Sequence, residues 1–346
     1  MTERKAKSLR VLVTGGAGFI GGSIVERLTA RGDEVVVFDS LAAHKEPPPL
    51  PGSVELIVGD LRDQRSLERA VEGVDAVCHQ AARVGLGVDF DDVSDYVADN
   101  DGGTANLLRA LWRRSFTGRL VVASSMVVYG EGRYRCPEHG EVGAAPRDRR
   151  DLDNGRFEPR CPRCGADLSW APVREDARLD PRNVYAATKV QTEHLSFLYG
   201  RESGARVCAL RYHNVYGPRM PRDTPYAGVA SIFRSALESG SAPRVFEDGG
   251  QTRDFVHVRD VARANVAALV ADEPFDGPLN VASGTPRTVL DLASALCAGT
   301  GLIPEVVGGG RLGDVRHIVA SPARAAATLG FRATEPFDPS TIAATG

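Results

Sequence analysis

Short apolar runs and amphipathic stretches alternate along the first 125 residues. Arg10–Thr14 is a β-rich run that ends in glycines, and Glu34–Asp39 is a continuous valine and phenylalanine run. Val54–Val58, Asp75–His79 and Arg119–Ser124 repeat the pattern. Between them, Phe19–Arg31, the stretch after Asp60 through Val71, and Val93–Arg113 carry apolar residues at helical spacing. Strands that are apolar along their whole length, separated by amphipathic helices, predict a parallel sheet covered on both faces with right-handed crossovers. The pattern fails over Glu131–Glu175, which is rich in Gly, Pro and Arg and poor in Leu, Ile and Val. Such a segment cannot order itself by apolar burial alone. Regular spacing then returns, with helices predicted at Asn183–Gly200, Gly228–Ser239, Asp260–Ala271 and Thr288–Gly299 and a strand at Ala205–Arg211. The glycines and prolines between them predict a smaller, loop-rich lobe.

Composition narrows the class. The chain has 346 residues, 42% of them hydrophobic and 25% charged, the balance of a soluble globular protein with a full core. No stretch is apolar enough for a membrane span, and the N-terminal residues do not form a secretory signal, so a cytoplasmic location is expected. The net charge of −3 argues against a protein built to hold nucleic acid. Lysine occurs only at positions 5, 7, 45 and 189, which makes Lys189 conspicuous. Cys78, Cys208 and Cys297 sit singly in apolar segments and read as buried thiols.

Two motifs carry chemistry. Gly16, Gly18 and Gly21 fit G-x-G-x-x-G between the first strand and the first helix, where glycine permits a tight turn and a close approach to a pyrophosphate. The helix N-terminus then faces the phosphates. Asp39 follows Gly16 by 23 residues, the distance at which an acid accepts from ribose hydroxyls and repels a 2′-phosphate. NAD is therefore expected rather than NADP. Tyr185 and Lys189 lie four apart at the start of a helix, on one face. An ammonium beside a phenol favours the phenolate, and such a tyrosine can exchange a proton with a hydroxyl. Ser124 and Ser125 end the fifth strand, at the edge where open parallel sheets bind ligands.

Together these pieces resemble an extended short-chain dehydrogenase/reductase of the NAD-dependent sugar epimerase/dehydratase family. The resemblance runs through Thr14–Gly21, Gly59-Asp60-Leu61, His79-Gln80-Ala81-Ala82 and Asn100 with Gly103-Thr104. It continues through Ser125-x-x-Val128-Tyr129-Gly130, Tyr185-x-x-x-Lys189, Arg211–Arg219, Arg253–Val258 and Gly313–Arg316. It implies a Rossmann-type doubly wound sheet over residues 1–211, interrupted by an insertion at 131–176. A nucleotide-sugar-binding lobe over 212–346 would follow, with about 252–272 returning to the first domain. NAD contacts are implied for Gly15, Gly16, Gly18, Phe19, Ile20, Gly21, Asp39, Asp60, Leu61, Gln80, Ala81, Ala82, Asn100, Ser124, Tyr185, Lys189 and Tyr212. Substrate contacts are implied for Ser125, Asn214, Arg253 and Arg316, with Ser125, Tyr185 and Lys189 catalytic and the chain a homodimer.

Members of that family that eliminate water or carbon dioxide carry acids directly after the catalytic Ser or Thr. Met126 and Val127 stand there in this chain and cannot transfer protons. What remains is redox cycling at one sugar carbon: epimerisation, at C4 of a dTDP- or UDP-(deoxy)hexose, or alternatively a one-way keto-sugar reduction. Cys136-Pro-Glu-His139-Gly and Cys161-Pro-Arg-Cys164-Gly form two knuckles 21 residues apart, a spacing suited to a tetrahedral structural zinc. A metal would order the segment that lacks a core. These knuckles resemble those of the family subset assigned as dTDP-L-rhamnose 4-epimerases. A third reading, a cofactor-sensing protein whose basic knuckle binds a partner, is weakened by the intact Ser–Tyr–Lys set.

Overall fold

The computed structural model describes residues 7–44, 48–85, 90–221, 228–310 and 312–343. The N-terminal half runs β1 (Arg10–Thr14), α1 (Phe19–Arg31), β2 (Glu34–Asp39), β3 (Glu55–Val58), α2 (Gln64–Ala70) and β4 (Ala76–His79). Next come α3 (Val93–Tyr96), a π-helical turn (Val97–Gly102), α4 (Gly103–Arg113) and β5 (Arg119–Ser125). The long helix expected at 93–113 is thus interrupted by a π turn, a feature frequent at functional sites. After β5 the insertion contributes β6 (Arg133–Cys136), β7 (Gly140–Val142), α5 (Arg149–Asp153) and β8 (Ser169–Ala171). The rest comprises α6 (Val184–Ser203), β9 (Arg206–Tyr212), β10 (Asn214–Tyr216), α7 (Val229–Glu238), β11 (Arg244–Phe246), β12 (Thr252–His257) and α8 (Val258–Val270). It closes with β13 (Gly277–Val281), β14 (Pro286–Thr288), α9 (Val289–Cys297), β15 (Glu305–Gly308), β16 (His317–Ile318) and α10 (Ala323–Leu329).

Seven strands form one parallel sheet in the order β13-β9-β5-β4-β1-β2-β3. The order reverses beside β1, so a crevice opens there at the carboxyl ends of β1 and β4, where such sheets bind ligands. Alternation along each strand divides the core. Val11, Val13, Val35 and Val37 pack one face against Ile24, Leu28 and Val261 of α1 and α8. Leu12, Val36, Val77 and Leu120 pack the other against Leu67, Leu107, Leu111 and Tyr199.

The lobe has its own apolar cluster around Tyr216, Phe233, Phe255 and Leu292. Of the segment expected to return to the sheet at about 252–272, α8 does lie against it. β12 instead pairs with β10, β14 and β16 in a separate sheet, and β13, beyond that segment, joins the main one. The insertion buries only Tyr134, Cys136, Cys161 and Leu168 as a cluster, two of the four being cysteines.

Candidate functional site

The glycine turn leaves no room for side chains. Gly15 has φ +67°, and a Cβ there would lie 2.6 Å from the Ala81 amide nitrogen. A Cβ at Gly16 would lie 2.8 Å from Val37, and one at Gly21 would overlap the Gly15 carbonyl oxygen. The turn therefore presents bare backbone at the start of α1, whose first turn holds no acid and no capping side chain. This cradle fits a pyrophosphate. Phe19 and Ile20 begin α1 behind it, and Ile20 packs into the core. Asp39 is anchored by the Ala17 amide (3.0 Å) and the Leu41 amide (2.9 Å) and keeps lone pairs for further donors.

The remaining cofactor candidates divide. Ala81 abuts Gly15 through its backbone, and its amide donates to Thr14 Oγ1 (3.3 Å); Ala82 follows it in the loop after β4. Asn100 is buried in the π turn. Its Oδ1 accepts from the Arg83 amide (2.7 Å), and its Nδ2 donates to the Arg83 carbonyl (3.0 Å) and to Thr188 Oγ1 (2.9 Å), tying the β4 loop to α6. Asp60 pairs with Arg62, which holds its carboxyl below the usual range.

Four side chains have partners within the fold. Leu61 is buried against the site of Gly103. Gln80 Oε1 lies 3.1 Å and Asn265 Oδ1 2.9 Å from the Tyr212 hydroxyl, so Gln80 and Tyr212 are committed to a buried network with α8. Ser124 donates to Glu193 Oε1 at 2.5 Å. Adjacent strand residues face opposite sides, so only Ser125 of the serine pair can face the crevice. In this structure the Gln80, Ser124 and Tyr212 side chains are thus engaged with Asn265 and Glu193, and Leu61 with Gly103.

Ser125 ends β5, caps the turn Met126–Tyr129 by accepting from the Val127 amide (3.4 Å), and sits near enough to the Tyr185 phenol to favour its ionised form. Tyr185 is held at the start of α6, where Asn183 caps the helix by accepting from the Ala186 amide (2.8 Å). Lys189, one turn on, is buried; its Nζ donates to the Ala123 carbonyl (2.9 Å) and lies 5.8 Å from the Tyr185 ring centroid. Burial pulls the Lys189 ammonium down to about 8, opposed by the charges of Glu193 and Asp101. The tyrosine differs from the expectation. Burial pushes its phenol above the ordinary value, against the opposing effect of the nearby Ser125 hydroxyl, and Lys189 does not hydrogen-bond its oxygen.

Glu193, a further turn along α6, is a functional candidate that sequence reasoning missed. It is 1% exposed and accepts from Arg211 Nε (2.8 Å) and Nη2 (2.7 Å) as well as from Ser124. Tyr185, Lys189 and Glu193 are spaced four and four, a signal readable in the sequence. His79 lies between Thr14 Oγ1 (2.7 Å) and Thr104 Oγ1 (3.1 Å); burial, with the nearby Lys189 charge, drops its pKa to about 3 and keeps it neutral.

In the lobe, Asn214 Oδ1 is buried without a hydrogen-bond partner among the described residues, an acceptor open to a ligand. Arg253 is held by carbonyls alone: Nη1 donates to Thr252 and Arg316 (3.0 Å each) and Nη2 to Val315 (2.6 Å). Among the described residues no carboxylate forms an ion pair with it. Arg316 is the opposite case and corrects the expectation of a direct phosphate contact. Its Nε donates to Glu158, Nη1 to Glu247 and Asp248, and Nη2 to Glu158 and Asp248, at 2.7–2.9 Å. These bonds take up all five guanidinium N–H groups.

The insertion gathers Cys136, His139, Cys161 and Cys164, whose donor atoms all lie within 4.8 Å of one another. Cys136 Sγ is 3.5 Å from His139 Nδ1 and 3.6 Å from Cys164 Sγ, and Cys161 Sγ is 3.6 Å from His139 Nδ1. The three thiols and one imidazole converge without a disulfide. Ligands about 2.1–2.3 Å from a tetrahedral zinc would be separated by roughly 3.5–3.8 Å, so the donor set fits that ion.

The NAD-dependent epimerase/dehydratase family model matches residues 11–150 and 165–282. A dTDP-L-rhamnose 4-epimerase of Burkholderia thailandensis is 32% identical over 334 residues, covering 93% of this chain and 90% of that protein. The Thermus thermophilus UDP-glucose 4-epimerase, solved with NAD, is 32% identical with TM-score 0.75 over 96% of both chains. A UDP-N-acetylglucosamine 4-epimerase of Methanobrevibacter ruminantium, solved with UDP-N-acetylmuramic acid, is 27% identical with TM-score 0.78, covering 97% of this chain and 96% of that one. The chain belongs to the NAD-dependent epimerase/dehydratase family.

Proposed function

We propose that this family member is a nucleotide-sugar 4-epimerase that retains NAD, acts on a dTDP- or UDP-(deoxy)hexose and carries a structural zinc. The observation that carries the reading is Tyr185 with the buried Lys189 one turn on, its Nζ 5.8 Å from the ring, near the strand-end Ser125 and a glycine cradle closed to side chains. Bound NAD supplies a reversible hydride acceptor. Tyr185 Oη takes the proton of the sugar hydroxyl as the carbon is oxidised, and Ser125 Oγ holds the same oxygen. Once the keto-sugar has turned over, Tyr185 returns the proton as the hydride comes back to the other face. Burial opposes the phenolate, so the Lys189 charge has work to do: it must offset that desolvation across the gap to the ring. Met126 and Val127 leave no acid to carry the keto-sugar on to elimination.

Asn214, with its open acceptor, is assigned to the substrate, and Arg253, whose guanidinium is held by carbonyls and makes no close ion pair among the described residues, to its diphosphate. The Cys136–His139–Cys161–Cys164 set leaves no position for substrate water, which suits a structural rather than a catalytic ion. The relatives named as acting on dTDP- and UDP-linked sugars support the substrate class. A homodimer is consistent with apolar exposure on neighbouring helices, where Trp112 of α4 is 53% exposed and Leu198 of α6 is 47% exposed. Among the described residues no helix is long and apolar enough to cross a membrane.

The test is incubation of the purified protein with dTDP- and UDP-hexoses without added cofactor, followed by NMR. Appearance of the C4 epimer with no net reduced cofactor supports epimerisation. Turnover that instead consumes added reduced cofactor one for one would replace it by a reductase. Tyr185→Phe should lower turnover about 10²–10⁴-fold with substrate binding kept; undiminished conversion would remove Tyr185 from the reaction.

A further inference from the structure

We propose that Glu158, on the metal-binding insertion, is a positioning residue for the substrate's diphosphate, acting through Arg316 on Arg253. This rests on the assignment of Arg253 to the diphosphate.

The seam between insertion and lobe is built around one guanidinium. Glu158 lies three residues before Cys161, at the base of a loop closed by the Leu168 amide donating to the Pro159 carbonyl (2.9 Å) and the Cys161 amide donating to the Ala166 carbonyl (2.8 Å). From there Glu158 Oε1 accepts from Arg316 Nε (2.9 Å) and Nη2 (2.7 Å), and Oε2 lies 2.9 Å from His317 Nε2. The ring of Phe157 lies 5.7 Å from the same guanidinium. Arg147, also from the insertion, donates to the Phe157 carbonyl (3.1 Å) and pairs with Glu247 (2.5 Å), which in turn binds Arg316. The insertion thus grips the 316–317 segment by side chains, and the lobe meets it through Glu247 and Asp248.

The other side of that segment holds Arg253. The Arg316 carbonyl accepts from Arg253 Nη1, and the neighbouring Val315 carbonyl accepts from Nη2. The Thr252 amide donates to the Arg316 carbonyl (3.1 Å), and Thr252 Oγ1 lies 2.8 Å from His317 Nδ1. A side chain held only by carbonyls is placed wherever those carbonyls are placed. Release of Glu158 frees two donors of Arg316 and the Nε2 side of His317, so the backbone that aims Arg253 loses one support and is left to Glu131, which accepts from the Arg316 amide (3.1 Å), and Tyr134, which accepts from the His317 amide (3.1 Å). A misplacement of about an ångström suffices to lose most of an oriented contact.

Glu158 is the accessible member that the insertion contributes, its side chain 41% exposed (Asp248 of the lobe is 51% exposed) against 4% for Arg316 and 1% for Glu247. Glu158→Ala therefore leaves no buried void, and Arg316 retains Glu247 and Asp248. The experiment measures dTDP and UDP affinity by calorimetry on the full-length zinc- and NAD-loaded protein, together with steady-state kinetics. Expected for Glu158→Ala is about tenfold weaker nucleoside diphosphate binding and a matching rise in KM, with kcat within about twofold and NAD and zinc contents unchanged. Glu158→Gln, which keeps an acceptor for Arg316, should recover part of the loss. Arg253→Ala is the control. If Arg253→Ala weakens nucleotide binding and Glu158→Ala does not, the relay is overturned while the assignment of Arg253 stands. If Arg253→Ala changes nothing, that assignment falls and the relay with it. A Glu158→Ala protein with a lower melting temperature but unchanged affinity would also overturn the proposal, leaving Glu158 a fastening only.

Discussion

Replacing Glu193 by Gln separates what α6 does for stability from what it does for the proton chemistry. Glu193 is the only carboxylate that pairs with Arg211 among the described residues, and the pair is 3% and 1% exposed at the side chains. In the Gln variant Arg211 keeps the Tyr129 hydroxyl (2.9 Å) and the Glu175 carbonyl (3.0 Å) but carries an unneutralised buried charge. Breaking a buried pair by removing one partner costs about 3–5 kcal/mol. At about 2.1 cal/mol/K per residue, 346 residues unfold with an entropy of roughly 0.7 kcal/mol/K, so the melting midpoint should fall by about 4–7 °C. The second readout is kinetic. Burial holds Lys189 at about 8 while Glu193 holds it up, so the alkaline limb of kcat/KM, set near pH 8 by loss of the ammonium, should move to lower pH in the variant. The linkage has a defined sign. Between about pH 8 and 10.5 the unfolded chain binds the Lys189 proton and the folded chain does not, so this group alone makes stability rise with pH across that window. Calorimetric scanning and a pH–rate series check both outcomes. A midpoint within about 1 °C of the parent, or an alkaline limb that stays or moves upward, would refute the reasoning.

Other expectations follow from single features. Gly21→Ala places a methyl on the Gly15 carbonyl oxygen, so the purified variant should carry little or no NAD; full NAD content would mean that the cradle is not the pyrophosphate site. Stripping metal with a chelator should lower the melting temperature and expose residues 131–176 to protease, with both reversed by zinc; an unchanged protein would show that the four donors hold no structural ion. Trp112→Lys puts a charge on the exposed face of α4 and should shift the protein toward monomer in light scattering, whereas an unchanged mass would move any dimer contact away from that helix.

Local features were legible in the sequence because local physics fixes them. Alternation and helical spacing placed most strands and helices of the main sheet within a few residues. The glycine turn, the Tyr185–Lys189 spacing and the paired knuckles each reflect a constraint that acts over a few positions. The π turn at Val97–Gly102 escaped because an α-helix and a π turn share nearly the same apolar pattern. Ser124 and Ser125 are chemically identical in sequence. Only the alternation of β5, which turns Ser124 onto Glu193 and leaves Ser125 to cap the turn after the strand, gives them different tasks. Gln80 and Tyr212 turned out to be spoken for by Asn265, a residue of α8 that no nearby motif announces.

The two lobe arginines show why a charged residue in a motif is an incomplete prediction. By resemblance, Arg253 and Arg316 were equal candidates for an anion. What separates them is the set of groups that other parts of the chain bring to each. Positions 158, 247 and 248, distant from 316 in sequence, converge on Arg316 and use every donor it has. Arg253 is restrained by three dipoles that orient it, and the carboxylates of Asp314, Glu131 and Glu247 act on its charge without a direct ion pair. A guanidinium binds phosphate through donors and charge that remain after folding, so fixing without neutralising prepares Arg253 for a dianion, whereas the carboxylates make Arg316 a joint. Because the joint's outer carboxylate belongs to the insertion, metal loss and substrate affinity should be coupled through a residue that need touch neither.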